Sequence, residues 1–292
     1  MVFGVLSADN IMCIKDWRGG DEMSNILEVN GVTIRFGGLT AVDNVTMCHP
    51  GGGVLALIGP NGAGKTTFFN LLTGAYQPDE GKIIFQGQDI TKMQPYRRVE
   101  IGIARTFQNI RLFKTFTVLE TLLVANPKCN KERLLPTLIN SSGLKRQRKQ
   151  VVESCEEILS LVGLLEQEDQ MATSLPYGKQ RLLEIGRALA SDASLILLDE
   201  PGAGMNAFEN EELTTLINYI TQRLHKHILF IDHDMKFVMN IAEHIIVFDH
   251  GKKIAEGTAV EIQNNQQVIE AYLGKGEKST QNAVQEGNSC WK

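Results

Sequence analysis

GPNGAGKT, from Gly59 to Thr66, matches the phosphate-binding pattern GxxxxGK(S/T) without a mismatch. It lies between the apolar run Val54–Ile58 and a segment of helical character, Lys65–Leu72, so the chain passes from a strand through a tight turn into a helix. In that arrangement successive backbone N–H groups surround a polyphosphate and the positive end of the helix points at it. The pattern predicts a nucleotide site; the alternative is a glycine-rich turn that holds no ligand.

Two side chains of this loop add chemistry that the backbone lacks. Lys65 supplies positive charge, and the Thr66 hydroxyl is suited to ligate Mg²⁺. The pattern predicts NTP binding but not what the nucleotide is used for. The predicted nucleotide contacts in the loop are Gly59, Asn61, Gly62, Ala63, Gly64, Lys65, Thr66 and Thr67.

The composition is that of a globular protein with a substantial core. The chain has 292 residues, of which 43% are hydrophobic and 22% charged, and this length predicts one large α/β domain or that domain with a small subdomain. A net charge of −5 argues against a protein whose whole surface binds nucleic acid. Five cysteines without a CxxC pair predict reduced, inert thiols in a cytosolic protein: Cys13, Cys48, Cys129, Cys155 and Cys290.

The two ends of the chain differ from its middle. Met1–Leu6 is apolar but charged residues soon follow, so we expect no export signal, and no run reaches the roughly 18 apolar residues of a membrane span. We expect residues 1–24 to be an N-terminal extension, with Met23 as an alternative start. Residues 275–292 are mostly polar and predict a disordered tail. Any membrane role must then come through a partner.

The apolar pattern predicts an α/β fold. Ile26–Phe36 and Val42–Met47 are rich in β-branched residues and predict antiparallel strands. The helical composition of about residues 110–190 predicts an inserted helical subdomain. From Leu195 onward short strands alternate with helical segments, which is typical of a parallel sheet covered by helices. The predicted fold class is a P-loop NTPase parallel sheet with an antiparallel β subdomain and an inserted helical subdomain.

A second nucleotide signature follows a short buried strand. The four apolar residues Leu195–Leu198 precede Asp199 and Glu200. Asp199 is suited to hold Mg²⁺ through its water shell, and Glu200 to polarise the attacking water as a general base. The alternative is that the two acids only cap a strand.

Two further polar residues are candidates for orienting that water. His233 follows the predicted strand Ile228–Asp232 and can hydrogen-bond the terminal phosphate, although a lone histidine at a strand end is more often structural. Gln108 can likewise reach Mg²⁺ and the water. The predicted catalytic residues are Glu200, His233 and Gln108, and the predicted metal ligands are Thr66, Gln108 and Asp199.

In order and spacing these motifs resemble those of the ATP-binding subunits of ABC transporters, over about residues 26–274. The residues that carry the resemblance are the phosphate loop, Gln108, the signature-like segment Leu175–Lys179, the pair Asp199–Glu200 and His233. The resemblance implies an ATPase domain at residues 25–274 that uses ATP and Mg²⁺.

The resemblance also implies contacts that spacing alone does not give. In this family ATP lies between the phosphate loop of one subunit and the signature motif of another, so hydrolysis needs a dimer. Phe36 falls where the family places an aromatic ring on adenine; the alternative is a core Phe at a strand end. The implied trans-acting signature residues are Leu175, Pro176, Tyr177, Gly178 and Lys179.

Three positions depart from the common family pattern. Pro176 replaces the usual serine, Lys179 the usual glutamine, and Asn206 the usual aspartate. LPYG, Glu200–Asn206, and the ending from Val268 to Gly274 nevertheless resemble one branch, the LivG-type ATPases of high-affinity branched-chain amino acid importers. The departures are therefore interpreted as sequence features of that branch rather than as a sign of lost activity.

Membership of that branch implies a set of partners. Integral-membrane permease subunits would contact the region of Gln108–Glu120. The dimer would be completed by a second, LivF-like ATPase or by a second copy of this chain as a homodimer. An extracytoplasmic solute-binding protein would act indirectly, and no nucleic acid is expected. The implied location is peripheral, on the cytoplasmic face of the inner or plasma membrane. The segment Lys128–Gln150 carries seven Lys or Arg residues against one acid, which indicates a solvated helix face or a contact with anionic lipid or a permease loop.

Two other functions compete with import. An export ATPase of the lipopolysaccharide type usually keeps a serine in its signature, so Pro176 and Tyr177 argue against it. A nucleotide-dependent regulatory module that acts on ribosomes or DNA usually has two ATPase halves or a long coiled coil, and the sequence shows neither.

Overall fold

The computed structural model describes residues 25–108, 110–130 and 142–273. The strands are β1 Leu27–Phe36, β2 Leu39–His49, β3 Val54–Ile58, β4 Glu80–Phe85, β5 Gln88–Asp89, β6 Ile103–Arg105, β7 Leu195–Asp199, β8 His227–Ile231, β9 His244–Asp249 and β10 Lys252–Gly257. The described helices are α1 Lys65–Thr73, α2 Pro95–Glu100, α3 Val118–Ala125, α4 Pro127–Asn130, α5 Ser142–Leu161, α6 Tyr177–Ala190, α7 Ala207–Gln222, α8 Met235–Ile241, α9 Ala259–Gln263 and α10 Gln266–Leu273.

A six-stranded sheet forms the centre of the molecule, in the order β10-β9-β3-β8-β7-β6. The strands from β9 to β6 are parallel, and β10 pairs antiparallel to β9 at one edge. All five residues of β3 and of β7 are buried, because helices cover both faces of a parallel sheet. The carboxyl ends of β3, β7 and β8 therefore open at the same edge, where ligands bind in such folds.

A four-stranded antiparallel sheet, β2-β1-β4-β5, packs beside the central sheet. Helix α1 lies in the core that the two sheets share, where Phe68 and Leu72 join Val29 of β1 and Leu57 of β3. The loop before α1 is thus held between two sheets.

The helices of the opposite face pack around a second core. Helix α3 begins at a capping box in which Thr117 and Glu120 satisfy each other's backbone N–H groups, and it packs on α5 and α6. Within the described ranges, no helix has both the length and the apolar character that a membrane span needs.

The predicted fold class is confirmed, with differences at the ends of elements. The second strand is longer than Val42–Met47, because Leu39–Thr40 pair with Arg35–Phe36 across a tight turn. The strand predicted as Ile228–Asp232 ends at Ile231, because the Asp232 side chain folds back to accept the following N–H groups. Sequence reasoning missed strands β5, β6 and β10. The first two are only two and three residues long, and the third is a polar edge strand.

Other predictions are covered only in part by the described residues. Residues 1–24 and 275–292, Cys13 and Cys290 lie outside them, and the domain division stays a prediction. Where described, the chain forms no disulfide, and burial raises the pKa of the Cys155 thiol to about 11. The described side chains of the basic segment are exposed: Lys128, Arg146, Arg148 and Lys149.

Candidate nucleotide site

A cavity of about 340 Å³ opens at the carboxyl end of β3. Its walls are the phosphate loop from Asn61 to Thr67, Leu39–Ala41 at the start of β2, Glu200, Ile231, and the β9–β10 turn at His250–Gly251. The phosphate loop follows β3, Glu200 follows β7 and Ile231 ends β8, and these three strands are neighbours in the sheet. Sequence reasoning missed the β2 and β9–β10 walls, because nothing in their spacing links them to a loop that is distant in the chain.

The glycines of the phosphate loop meet backbone at two places where no side chain fits. Gly59 has φ +147, and a Cβ there would lie 2.1 Å from the carbonyl oxygen of Phe248. Gly64 has φ +97, and a Cβ there would lie 2.4 Å from the carbonyl oxygen of Ala41. L-residues with a side chain rarely adopt such φ values. The loop is therefore shaped by main-chain contacts with β9 and β2.

Main-chain hydrogen bonds also orient the peptide groups of the loop. The Ala63 carbonyl accepts the N–H of Gly251 at 3.0 Å, so the Gly64 N–H in the same trans peptide points the opposite way. Helix α1 follows with no side-chain cap at its N-terminus. Its first N–H groups have no intrahelical acceptor, which makes this end of α1 an anion site.

Lys65 is held by the loop itself. Its Nζ donates to the carbonyl oxygens of Gly59 at 2.6 Å and Pro60 at 2.9 Å. Burial lowers the pKa of Lys65, and the nearby charges of Glu200 and Asp199 oppose that shift. A phosphate would replace two neutral carbonyls with a stronger, charged partner.

Asp199 at the end of β7 is paired with an arginine that the sequence analysis did not single out. Arg105 Nη2 lies 2.8 Å from Asp199 Oδ2, and both side chains are largely buried. The same guanidinium donates to Asn70 Oδ1 of α1 at 2.6 Å. Arg105 thus ties the helix after the phosphate loop to the acid at the strand end. No spacing motif marks it.

Glu200, Gln108 and His233 converge beside this acid. The Gln108 Nε2 donates to Glu200 Oε2 at 2.9 Å, and His233 Nδ1 lies 3.8 Å from the same oxygen. Glu200 has φ +49, a costly conformation for a residue with a side chain, and its N–H donates to the Ile231 carbonyl at 2.8 Å. The three predicted catalytic residues therefore meet, with His233 exposed at the rim.

Asp232 holds the loop of His233 and was not given a role from the sequence. Its Oδ1 accepts the N–H groups of His233 at 2.7 Å and Asp234 at 3.0 Å, and its Oδ2 accepts that of Gly202 at 3.3 Å. Burial raises its pKa, and these donors act in the opposite direction. This one carboxylate connects the segments that follow β7 and β8.

The segment Leu175–Lys179 and Phe36 are not among the residues that line the cavity, although Phe36 pairs with the wall residue Leu39. Tyr177 begins α6, Gly178 is buried, and Lys179 Nζ donates to Gln167 Oε1 at 3.2 Å. Phe36 is 45% exposed at the end of β1, with its ring edge-on to Tyr76 at 5.2 Å. It is not the core Phe of the alternative interpretation, and its stacking on adenine stays a prediction.

The predicted metal ligands fit Mg²⁺ by their chemistry. Thr66 offers an exposed hydroxyl, Gln108 an amide oxygen and Asp199 a carboxylate, and oxygen donors of this kind suit that ion. The described residues contain no cluster of three His, Cys, Asp or Glu side chains that could hold a metal alone.

Comparison with known proteins places this geometry in a family. Residues 42–203 match the ABC transporter model, and residues 252–278 match the branched-chain amino acid ATP-binding cassette transporter model. The chain is 42% identical over 250 residues to BraF of Pseudomonas aeruginosa and to LivG of Escherichia coli, both high-affinity branched-chain amino acid transport ATP-binding proteins, and covers 98% of each with 86% of its own length.

A solved structure has the same architecture. The ADP conformation of an ATP-binding cassette of an ABC transporter superposes with a TM-score of 0.74 at 32% identity, over 86% of this chain and 100% of that one. The family model covers more than half of the chain, and the relatives are spanned almost from end to end. The chain belongs to the ATP-binding subunits of ABC transporters.

Proposed function

We propose that this chain is the ATP-hydrolysing motor subunit of an importer for branched-chain or related amino acids and amides. The observation that carries the proposal is the position of Glu200, which lines the cavity of the phosphate loop and is hydrogen-bonded to Gln108 at 2.9 Å. The names of the 42% identical relatives and the branched-chain model over residues 252–278 support the choice of solute class.

Each group in the cavity and beside it then has a role. The N–H groups at the start of α1 and the Lys65 ammonium bind the phosphates, and Glu200 accepts a proton from water that Gln108 and His233 orient. Thr66, Gln108 and Asp199 would hold Mg²⁺, which when bound offsets charge on the β and γ phosphates. Phe36 would stack on the adenine.

The signature residues supply the second half of the pocket to another subunit. Tyr177 is 47% exposed, and the segment that contains it does not line the described cavity of its own chain. A second copy or a LivF-like ATPase would therefore receive Leu175–Lys179 against its own nucleotide. Binding of ATP between the subunits closes the dimer, and hydrolysis lets it open.

The permease would bind beside the Gln108 loop. Phe113 is 53% exposed and packs against Phe116 with ring centroids 4.9 Å apart, which leaves an apolar surface next to α3. Exposed aromatic residues are typical of protein interfaces. Through this contact the subunit would be peripheral, on the cytoplasmic face of the membrane, and a solute-binding protein would act on the other side.

Reconstitution tests the proposal. The chain is combined with its two permease subunits, the second ATPase and the binding protein in vesicles, and uptake of labelled leucine is compared with that of urea and small amides. We expect uptake that needs Mg-ATP and that Glu200→Gln abolishes. Outward transport, or a chain that neither binds the permeases nor releases phosphate, would disprove the import function.

A further inference from the structure

Tyr177 of the signature segment packs against the chain that follows Glu200. A Cβ placed on Gly204 would lie 3.0 Å from Tyr177 Cε1, closer than an ordinary contact, so the aromatic ring would have to shift to admit a side chain there. Gly204 also has φ +79, which favours glycine. Both positions belong to segments already noted for their difference from the common family pattern.

The hydroxyl of Tyr177 is held by Arg181, one helical turn later in α6. Arg181 Nη2 donates to the Tyr177 hydroxyl at 3.0 Å, and the guanidinium lies 5.4 Å from the ring centroid. The Arg181 side chain is only 3% exposed. The hydrogen bonds of its two Nη atoms, and not its unpartnered Nε, hold this buried guanidinium and with it the ring.

The same guanidinium holds the loop of Gln108. Arg181 Nη1 donates to the Phe107 carbonyl at 2.6 Å, and Nη2 donates to the Gln108 carbonyl. Its charge is balanced by the buried Glu184, 3.5 Å away, whose Oε1 accepts the backbone N–H of Arg111 at 3.1 Å. Helix α6 therefore forms hydrogen bonds with the loop both before and after Gln108, at Phe107 and at Arg111.

Two connections thus run from Tyr177 to the predicted general base. One passes through Arg181 to the Gln108 backbone, and the Gln108 side chain reaches Glu200 at 2.9 Å. The other passes through Gly204, four residues after Glu200 in the chain. Displacement of the Tyr177 ring cannot leave both connections unchanged.

We propose that Tyr177 and Arg181 are positioning residues that join the signature face, the Gln108 loop and the segment after Glu200 into one rigid unit. The contact that Tyr177 makes with the nucleotide of a second subunit then sets the distance between Gln108 and Glu200 in its own subunit. This inference rests on the proposed function for the second subunit. Gly204 is the steric complement that makes the large ring at position 177 compatible with the unit.

The test compares three matched variants of the full-length chain. Arg181→Lys keeps a charge opposite Glu184 but cannot donate in a planar fork. Tyr177→Phe keeps the ring on Gly204 and removes only the hydroxyl. Tyr219→Phe, on the exposed face of α7, is the control for loss of a tyrosine hydroxyl. Hydrogen exchange of residues 103–113, Mg-ATP affinity, thermal stability, and turnover in the reconstituted transporter are measured for each.

We expect faster exchange in residues 103–113 for Arg181→Lys, while Mg-ATP affinity stays within about twofold and turnover falls about tenfold or more, because misplaced catalytic groups cost rate rather than binding. Tyr177→Phe should lower turnover about fivefold, the factor for one net hydrogen bond of about 1 kcal/mol. Tyr219→Phe should behave as wild type.

Two results would overturn the inference while leaving the proposed function intact. One is wild-type exchange and turnover in Arg181→Lys; the other is equal losses of stability, affinity and turnover, which would indicate a merely structural pair. Failure of the proposed function has a different signature, since the wild-type chain itself would then neither bind Mg-ATP nor turn it over with its partners.

Discussion

The phosphate loop and the signature segment, which we propose completes the nucleotide site of a second subunit, are held in place in two different ways. In the loop the decisive contacts are main chain on main chain: Gly59 against Phe248, Gly64 against Ala41, and the Gly251 N–H on the Ala63 carbonyl. In helix α6, whose first turn contains the end of the signature segment, side chains contact the loop of Gln108 instead, through the buried Arg181 and Glu184. The first kind depends on glycines at fixed spacing, whereas the second can vary between branches of a family.

This difference bears on the unusual residues of the signature segment. Lys179 donates to Gln167, whereas the contacts with the loop of Gln108 come from Arg181 and Glu184 further along α6. The phosphate loop has no such freedom, because its shape is set at the backbone. Substitutions in the two regions should therefore fail in different ways.

The largest effect is expected where both regions meet, at Glu200. Glu200→Gln should bind Mg-ATP as wild type does but release phosphate at least about 100-fold more slowly, because an amide cannot act as the base. Phosphate release and nucleotide titration measure the two quantities separately. A rate close to wild type would show that Glu200 is not the general base, and the phosphate loop and the Gln108 loop would then not share a catalytic residue.

The next largest effect is expected from a comparison of two lysines, Lys65 in the phosphate loop and Lys179 in the signature segment. Lys65→Ala should weaken the affinity of the isolated chain for ATP at least about 50-fold, through loss of charge-assisted hydrogen bonds to phosphate. Lys179→Ala, the matched change in the signature segment, should leave that affinity unchanged because Lys179 lies outside the described walls of the cavity. Equal affinities for the two variants in a fluorescence titration would contradict the division.

The same contrast accounts for what the sequence could predict. The loop Gly59–Thr66, the strand end at Asp199–Glu200 and the α/β class follow from local spacing and apolar periodicity, and the structure has them. Gln108, Glu200 and His233 were expected to meet, and they do so within hydrogen-bonding or near-contact distance. Their catalytic roles stay predictions.

Residues that act across the fold were invisible in the sequence. Arg105 is an ordinary arginine until β6 pairs with β7 and brings it 2.8 Å from Asp199. Asp232 looks like one acid in a polar run until its carboxylate accepts three backbone N–H groups. Pairing of distant strands creates these contacts, and no local pattern records it.

The two regions should also respond to pH in opposite directions. At the end of β2, burial lowers the pKa of His49 from 6.5 to about 4. The Pro50 and Ile228 carbonyl oxygens, 2.8 Å and 3.1 Å from its ring nitrogens, act in the opposite direction. Because the folded-state pKa is the lower one, this contribution is complete above pH 6.5 and is lost as the pH falls toward 4. In the signature helix, burial instead raises the pKa of Glu184.

Denaturant unfolding at several pH values measures the His49 contribution. The wild-type free energy of unfolding should fall by about 2 kcal/mol between pH 7 and pH 5 from this histidine, and His49→Gln should lack that part of the slope. Glu184→Gln is the counterpart in α6. Because burial raises the pKa of Glu184 above 4.5, the unfolded state ionises first, and the wild type loses stability as the pH rises above 4.5; the variant should lack this loss. Identical slopes in wild type and His49→Gln would exclude the buried neutral histidine.

The smallest effect tests the central difference directly, by one glycine in each region. Gly186 lies inside α6, and a Cβ there would sit 3.6 Å from Ile158 and Val162, an ordinary contact distance. Gly186→Ala should therefore stabilise the helix by about 0.5 to 1 kcal/mol and raise the melting temperature by about 1 to 3 °C. Gly64→Ala makes the same chemical change where a Cβ would meet the Ala41 carbonyl at 2.4 Å, and it should destabilise the fold and weaken ATP binding. If calorimetry found the same sign for both, backbone contact would not be what distinguishes the phosphate loop from the signature helix.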